Sequence, residues 1–186
     1  MTAMNAEVRF LKAGTLNIEI HPTSKAAGEA AAQAAAQALH RPENRRDNIG
    51  VIFATGASQL DTLRPLTLMP GLPWNWIQGF HLDEYIDMAA DHAASFRRYL
   101  RENLTQKVKL KEFSEIDGTA PNLDQMCRNY VAKLHAANPQ LCLLGIGENG
   151  HLAFNDPTMT FCQRNWRAHS CRTSCTSSIG SIGFNK

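Results

Sequence analysis

No stretch of the 186-residue chain approaches the ~20 consecutive apolar residues that a membrane-spanning helix needs. Met1 to Phe10 also lacks the apolar core of a signal peptide. The sequence therefore predicts no membrane partner and a cytoplasmic location. Charge of one sign is lacking too: 19 Lys and Arg against 17 Asp and Glu leave a formal +2. That is far from the dense positive field of a nucleic-acid binder, so nucleic acid is excluded as the expected partner. Five cysteines is an odd number, which without an export signal argues against a disulfide framework. Cys127 and Cys142 fall inside apolar patterns and read as small hydrophobes. With 44% hydrophobic residues, disorder along the whole length is excluded, and one domain with a sizeable core is expected.

Acid is missing from the last thirty positions, where Arg164, Arg167, Arg172 and Lys186 are the charged residues. The first 156 residues hold 15 basic and 17 acidic side chains, a net of −2. The positive balance is thus a property of the tail, which shows neither a helical period nor clear strand alternation. The sequence divides into residues 1–157, an α/β unit, and 158–186, a tail of different character.

What is present in the first part alternates. Thr15–Ile20 has the apolar–polar alternation of a half-buried edge strand. Ser24–Leu39 is an alanine-rich helix with Ser24 as its cap, and Pro42 ends it. Ile49–Ala54 is a short apolar run of the kind found in strands buried on both faces. After a turn at Thr55–Ser58, leucines at helical spacing mark Gln59–Met69, which Pro65 should kink or shorten. Trp76–Leu82 reads as a second strand and Ser95–Leu104 as a helix with Phe96, Tyr99 and Leu100 on one face, its arginines forming a solvated face. Asn122 caps the most regular helix, with Leu123, Met126, Cys127, Tyr130, Val131 and Leu134 on one side. Leu141–Ile146 is a third strand, expected to be buried. Strands alternating with helices predict a doubly wound, mostly parallel α/β sheet with helices on both faces, Rossmann-like.

In such sheets ligands gather beyond the carboxyl ends of the strands. Three of these ends carry chemistry. Thr55, Gly56, Ala57 and Ser58 enter a helix, where free backbone N–H groups and two hydroxyls can hold a phosphate; the same turn also reads as a plain strand-to-helix connection. It is no P-loop, because no Gly-Lys-Ser/Thr follows. Asp83 and Glu84 stand at the end of the second strand. Successive side chains of a strand point to opposite sides, so one of the two is expected to be structural. A carboxylate there among apolar neighbours acquires the raised pKa of a general base.

The third end, Gly145-Ile146-Gly147-Glu148-Asn149-Gly150-His151, places an imidazole beside an amide and five residues before Asp156. Imidazole with an orienting partner is the minimum apparatus for moving a proton on or off a sugar oxygen. Gly145, Gly147 and Gly150 also spell G-x-G-x-x-G, but Pro157 interrupts the helix a dinucleotide site requires, and no acid lies ~20 residues on to meet a ribose. A zinc site from His169, Cys171 and Cys175 has loose spacing, so no metal is expected.

The segments ATGASQ at 54–59, FHLDEY at 80–85, ADHAASFRRYL at 90–100 and LGIGENGHLAFNDP at 144–157 together resemble the glucosamine-6-phosphate deaminases. The related 6-phosphogluconolactonases typically continue the glycine-histidine motif with Ser-Leu-Phe-Pro-Gly, whereas this chain continues Ala153-Phe154-Asn155-Asp156-Pro157. The resemblance implies conversion of glucosamine 6-phosphate and water to fructose 6-phosphate and ammonia, with no cofactor. It implies Asp83 as the base between C2 and C1, and His151 as the group that opens the pyranose ring. Asn149 and Asp156 would orient that histidine, and Thr55, Gly56, Ala57 and Ser58 would line the phosphate or sugar site. The partner is then a small amino-sugar phosphate; a homo-oligomer stays open. Lactone hydrolysis and a non-catalytic sugar-phosphate-binding role are the alternatives. Beyond Pro157 the resemblance stops. The family's further elements, with their phosphate-gripping Arg and Lys, are not matched, so the expectation is a fold whose C-terminal part is missing through truncation or a shifted reading frame.

Overall fold

The computed structural model describes residues 7–41 and 48–154, and the backbone of Ser174–Cys175 and Ile182–Asn185. Asp156, His169 and Cys171 lie outside the described residues, and of Cys175 only the backbone is described. The chain opens with a hairpin of β1 (Arg9–Ala13) and β2 (Leu16–Ile20), then α1 (Ser24–Leu39), β3 (Ile49–Phe53) and α2 (Ala57–Leu68). A 3₁₀ turn (Trp74–Trp76) leads into β4 (Ile77–His81) and β5 (Asp83–Tyr85). Then come α3 (Phe96–Leu100), continued by a π-helical turn (Arg101–Thr105), β6 (Glu112–Ser114), α4 (Leu123–Ala137) and β7 (Leu141–Leu143). The last elements are β8 (Ser174–Cys175) and β9 (Ile182–Asn185).

The main sheet is parallel throughout, in the order β6-β4-β3-β7. Alternation along β3 and β4 divides the apolar interior in two. Ile49, Val51, Phe53 and Ile77 turn to a core shared with Ala32, Ala35 and Leu39 of α1, Leu63 and Leu66 of α2, and Leu100 and Leu104. Phe80 and the partly buried Ile52 turn the other way, onto Cys127, Tyr130 and Leu134 of α4. Period two in the strands against 3.6 in the helices thus covers both faces, as expected of a doubly wound sheet.

Several local expectations are corrected. The helix cap is Thr23, whose Oγ1 accepts from the Ala26 N–H at 3.1 Å, one residue before the expected Ser24. α2 runs through Pro65 to Leu68, because Leu63 and Leu66 are anchored in the core on either side of the proline. The expected edge strand instead pairs with β1 in a separate, exposed two-stranded sheet, turned at Gly14. β7 is shorter than expected and not buried, with Cys142 exposed, because among the described residues it is an edge strand with β3 on one side. Cys127 is buried as expected but is disulfide-bonded. β8 and β9 lie in a segment to which the sequence assigns no strand. β9 runs parallel to β5, and such pairing uses backbone groups that leave no hydrophobic period.

The end of β4 is fixed by α4. The Tyr130 hydroxyl accepts the His81 backbone N–H at 2.9 Å and donates to the His81 carbonyl at 2.6 Å, deep in the second core. Tyr130→Phe leaves both groups buried without that partner, and the expected loss is about 1–3 kcal/mol. Urea melts check this; an unchanged midpoint would show that the bridge contributes nothing.

Candidate active site

Sheet order and chain order together locate the site. From β3 the chain moves outward to β4 and β6, and α4 then carries it back to β7 on the far side of β3. The crevice between the loops that follow β3 and β7 is therefore the switch point at which open α/β sheets bind ligands. A cleft of about 220 Å³ lies there. Ala54, Thr55, Gly56 and Ser58 line it from the β3 side, and Gly145, Ile146, Gly147, His151, Ala153 and Phe154 from the β7 side. Leu82, Asp83 and Phe96 close it.

Most of the sequence-derived site residues meet here. Thr55, Gly56, Ser58, Asp83 and His151 share the cleft. Ala57 does not line it: as the first residue of α2 its methyl is exposed. Asn149 is exposed in the loop, and its Oδ1 accepts the His151 backbone N–H at 3.1 Å, so it shapes the main chain that carries the imidazole. Phe96, read from its period as part of an apolar helix face, borders the cleft and packs against Tyr85 and Phe154. No local pattern in the sequence distinguishes that position.

The two adjacent carboxylates diverge as strand geometry demands. Asp83 faces the cleft, and Glu84 faces the interior with no exposed surface. Glu84 accepts from the Ser95 hydroxyl at 2.8 Å, from the N–H groups of Phe96 and Arg97 at 3.2 and 3.0 Å, and from Arg97 Nε at 3.3 Å. Arg97 is therefore buried rather than solvated, because Glu84 and Asp117 share its guanidinium. Burial, reinforced by the negative charge of Glu84 and opposed by His151, pushes the Asp83 carboxyl up to about 7. An acid poised there is half ionised at neutral pH, the condition for a general base.

The imidazole is oriented by the backbone. Ala153 adopts a left-handed conformation (φ 52°), and its carbonyl lies 2.7 Å from His151 Nδ1. A carbonyl can only accept, so Nδ1 carries the hydrogen and Nε2 is left with a lone pair able to take up a proton. This contact was not foreseeable, since it depends on one residue's main-chain angle. Gly147 presses flat on the same ring, its N–H donating to the His151 carbonyl at 2.9 Å, and a Cβ added there would collide with the imidazole. Gly147→Ala is expected to displace the ring and lower turnover about a hundred-fold while the melt of the exposed loop's host fold barely moves. Turnover within a few-fold of the parent would refute the packing argument.

The α2 end of the cleft presents a helix N-terminus. Gly56 holds φ 112°, a conformation reserved for glycine, and no side chain caps the helix. The Gln59 N–H turns back to the Gly56 carbonyl at 3.1 Å, and the Ala57 and Ser58 N–H groups before it belong to the helix end that can meet an anion. Among the described residues no group of three His, Cys, Asp or Glu side chains is arranged to hold a metal, and no helix is long and apolar enough to cross a membrane.

Comparison with known proteins gives the geometry a lineage. The chain is 34% identical over 110 residues to glucosamine-6-phosphate deaminase 1 of Giardia intestinalis, covering 56% of this chain and 41% of the relative. It is 32% identical over 155 residues to the glucosamine-6-phosphate deaminase of Arthrobacter sp. strain FB24, covering 80% and 58%. It spans about half the length of the curated relatives it matches. Among solved structures, a monomeric glucosamine-6-phosphate deaminase superposes with a TM-score of 0.63 at 25% identity, over 70% of this chain and 55% of that one. The 6-phosphogluconolactonase of Thermotoga maritima shares the fold, with a TM-score of 0.60 at 24% identity over 68% and 59%. Residues 22–159 match the model of the glucosamine-6-phosphate isomerases/6-phosphogluconolactonase family, and with the parallel sheet and the switch-point cleft in place, the chain belongs to that family.

Proposed function

We propose that the protein deaminates glucosamine 6-phosphate, yielding fructose 6-phosphate and ammonia. The observation that carries this reading is one cleft holding a carboxyl with its pKa near neutrality and a histidine of fixed tautomer. His151 Nε2 moves the proton between the ring oxygen and the anomeric hydroxyl, opening the pyranose. Ionised Asp83 then takes the proton from C2 and returns it to C1, converting the 2-amino aldose into a ketose imine. Water adds at C2 and ammonia leaves. Proton transfers suffice for every step, so no cofactor enters the proposal. Thr55, Gly56 and Ser58, with the main chain of Ala57, hold the phosphate at the start of α2, and Asn149 with Asp156 sets the histidine loop. The proposed reaction is one of amino-sugar catabolism in the cytoplasm, where a phosphorylated sugar that does not cross membranes unaided would be retained.

The test is ammonia and fructose 6-phosphate appearing in equal amounts from glucosamine 6-phosphate, and its loss in His151→Gln. Release that survives this change would overturn the assignment. Hydrolysis of 6-phosphogluconolactone without ammonia release would transfer it to the lactonase branch, and saturable binding without turnover would make the protein a sugar-phosphate binder.

A further inference from the structure

We propose that Tyr99 is a positioning residue that holds the phosphate-binding turn at Thr55–Ser58 in register with Asp83. The inference rests on the reading of the cleft given above. The Tyr99 hydroxyl donates to the Gly56 carbonyl at 2.7 Å, and the same oxygen accepts the Gln59 N–H at 3.1 Å. Two donors from different helices thus converge on the peptide that opens α2. That peptide follows a residue at φ 112° and ψ 164°, with no side-chain cap in its own turn. A glycine in this region has wide freedom, so the orientation must be supplied from outside, and the hydroxyl supplies it.

The other end of α3 explains the register. Glu84 grips the start of that helix through Ser95, Phe96 and Arg97, and Glu84 is covalently next to Asp83. Tyr99 follows Ser95 by four residues, about 6 Å along the axis, and its ring packs against the first core. Asp83, Glu84, the first turn of α3, Tyr99 and Gly56 therefore form one continuous bracket. It joins the base at one side of the cleft to the helix N-terminus at the other. His151 is held separately, through Ala153 and Gly147.

Tyr99→Phe removes the hydroxyl and keeps the packed ring. Binding of glucosamine 6-phosphate and of inorganic phosphate is measured by calorimetry on the full chain, beside KM, kcat and the melting temperature. The expected result is an affinity about five-fold weaker for both ligands. KM should rise by the same factor, and kcat should change less because Asp83 and His151 keep their own tethers. A merely structural hydroxyl would lower the melting temperature and leave phosphate affinity where it was; that result overturns the proposal. So does a parent protein that binds neither ligand. A parent that binds both but releases no ammonia sinks the deaminase reading alone, and weaker binding by Tyr99→Phe would then still support the bracket.

Discussion

Asp83→Asn is expected to abolish turnover and at the same time to stabilise the fold above neutral pH. Loss of the general base removes a factor of about 10²–10⁴ at least, because no other carboxylate lines the cleft among the described residues. The stability gain follows from linkage. The Asp83 carboxyl, ordinarily at 3.8, is raised to about 7. Between those values the folded protein binds more protons than the unfolded chain, so this group lowers stability as pH rises through the window, and the loss is complete above pH 7. Carried through the linkage relation, that displacement corresponds to about 4 kcal/mol at most. Asparagine carries no such penalty.

His81 gives the opposite limb. Burial first of all pushes its imidazole down from 6.5 to about 4, so its contribution is present above pH 6.5 and is lost as pH falls toward 4. In the parent the two slopes oppose each other over much of the same range. In Asp83→Asn the opposing carboxyl limb is gone, and the contribution of His81 should make stability climb from pH 4 to 6.5 and then level off. Chemical melts at half-unit intervals from pH 4.5 to 8 read this directly. A variant with the parent's pH dependence would mean that the buried carboxyl is not strained, and the argument for a poised base would lose its ground.

The divergence of Asp83 and Glu84 was legible because it follows from strand alternation, which holds wherever a strand persists. The same is true of α4, where Asn122 Oδ1 caps the Gln125 N–H at 2.9 Å as its spacing predicts. Three glycines around a histidine, and a small-residue turn after a buried strand, announce backbone close to a ligand, and both loops do border the cleft. What escaped the sequence has a common cause. β6 is three residues long with an exposed glutamate at one end, and it exists because β4 offers it a ladder. Arg97 reads as solvated by its place among three arginines, yet a carboxylate from another element draws it inside. The carbonyl of Ala153 and the hydroxyl of Tyr99 act through contacts between segments far apart in the sequence or through a single unusual φ. Periodicity reports what one segment buries; it is silent on which partner completes it.

Glu84 is the side chain on which that completion depends most, and Glu84→Ala is expected to cost about 3–5 kcal/mol. Its carboxylate is fully buried and accepts from five donors, including the Tyr85 N–H at 3.0 Å and the Arg97 guanidinium. Alanine strands those donors and leaves the Arg97 charge, 5% exposed, with Asp117 at the rim as its remaining anionic partner. For a chain of this length the melting temperature should fall by about 10 °C or more. An unchanged melt would show that the network is incidental. Glu84→Gln separates structure from electrostatics, because it retains an acceptor and removes the charge. Glu84 is one of the causes that hold the Asp83 carboxyl high, so neutralising it lets that carboxyl ionise at lower pH. The acidic limb of the pH–rate profile should then move downward in Glu84→Gln, the direction opposite to what loss of a supporting positive charge would give. If the limb stays in place while the protein remains folded, Glu84 holds α3 alone and burial accounts for the poise of Asp83 by itself.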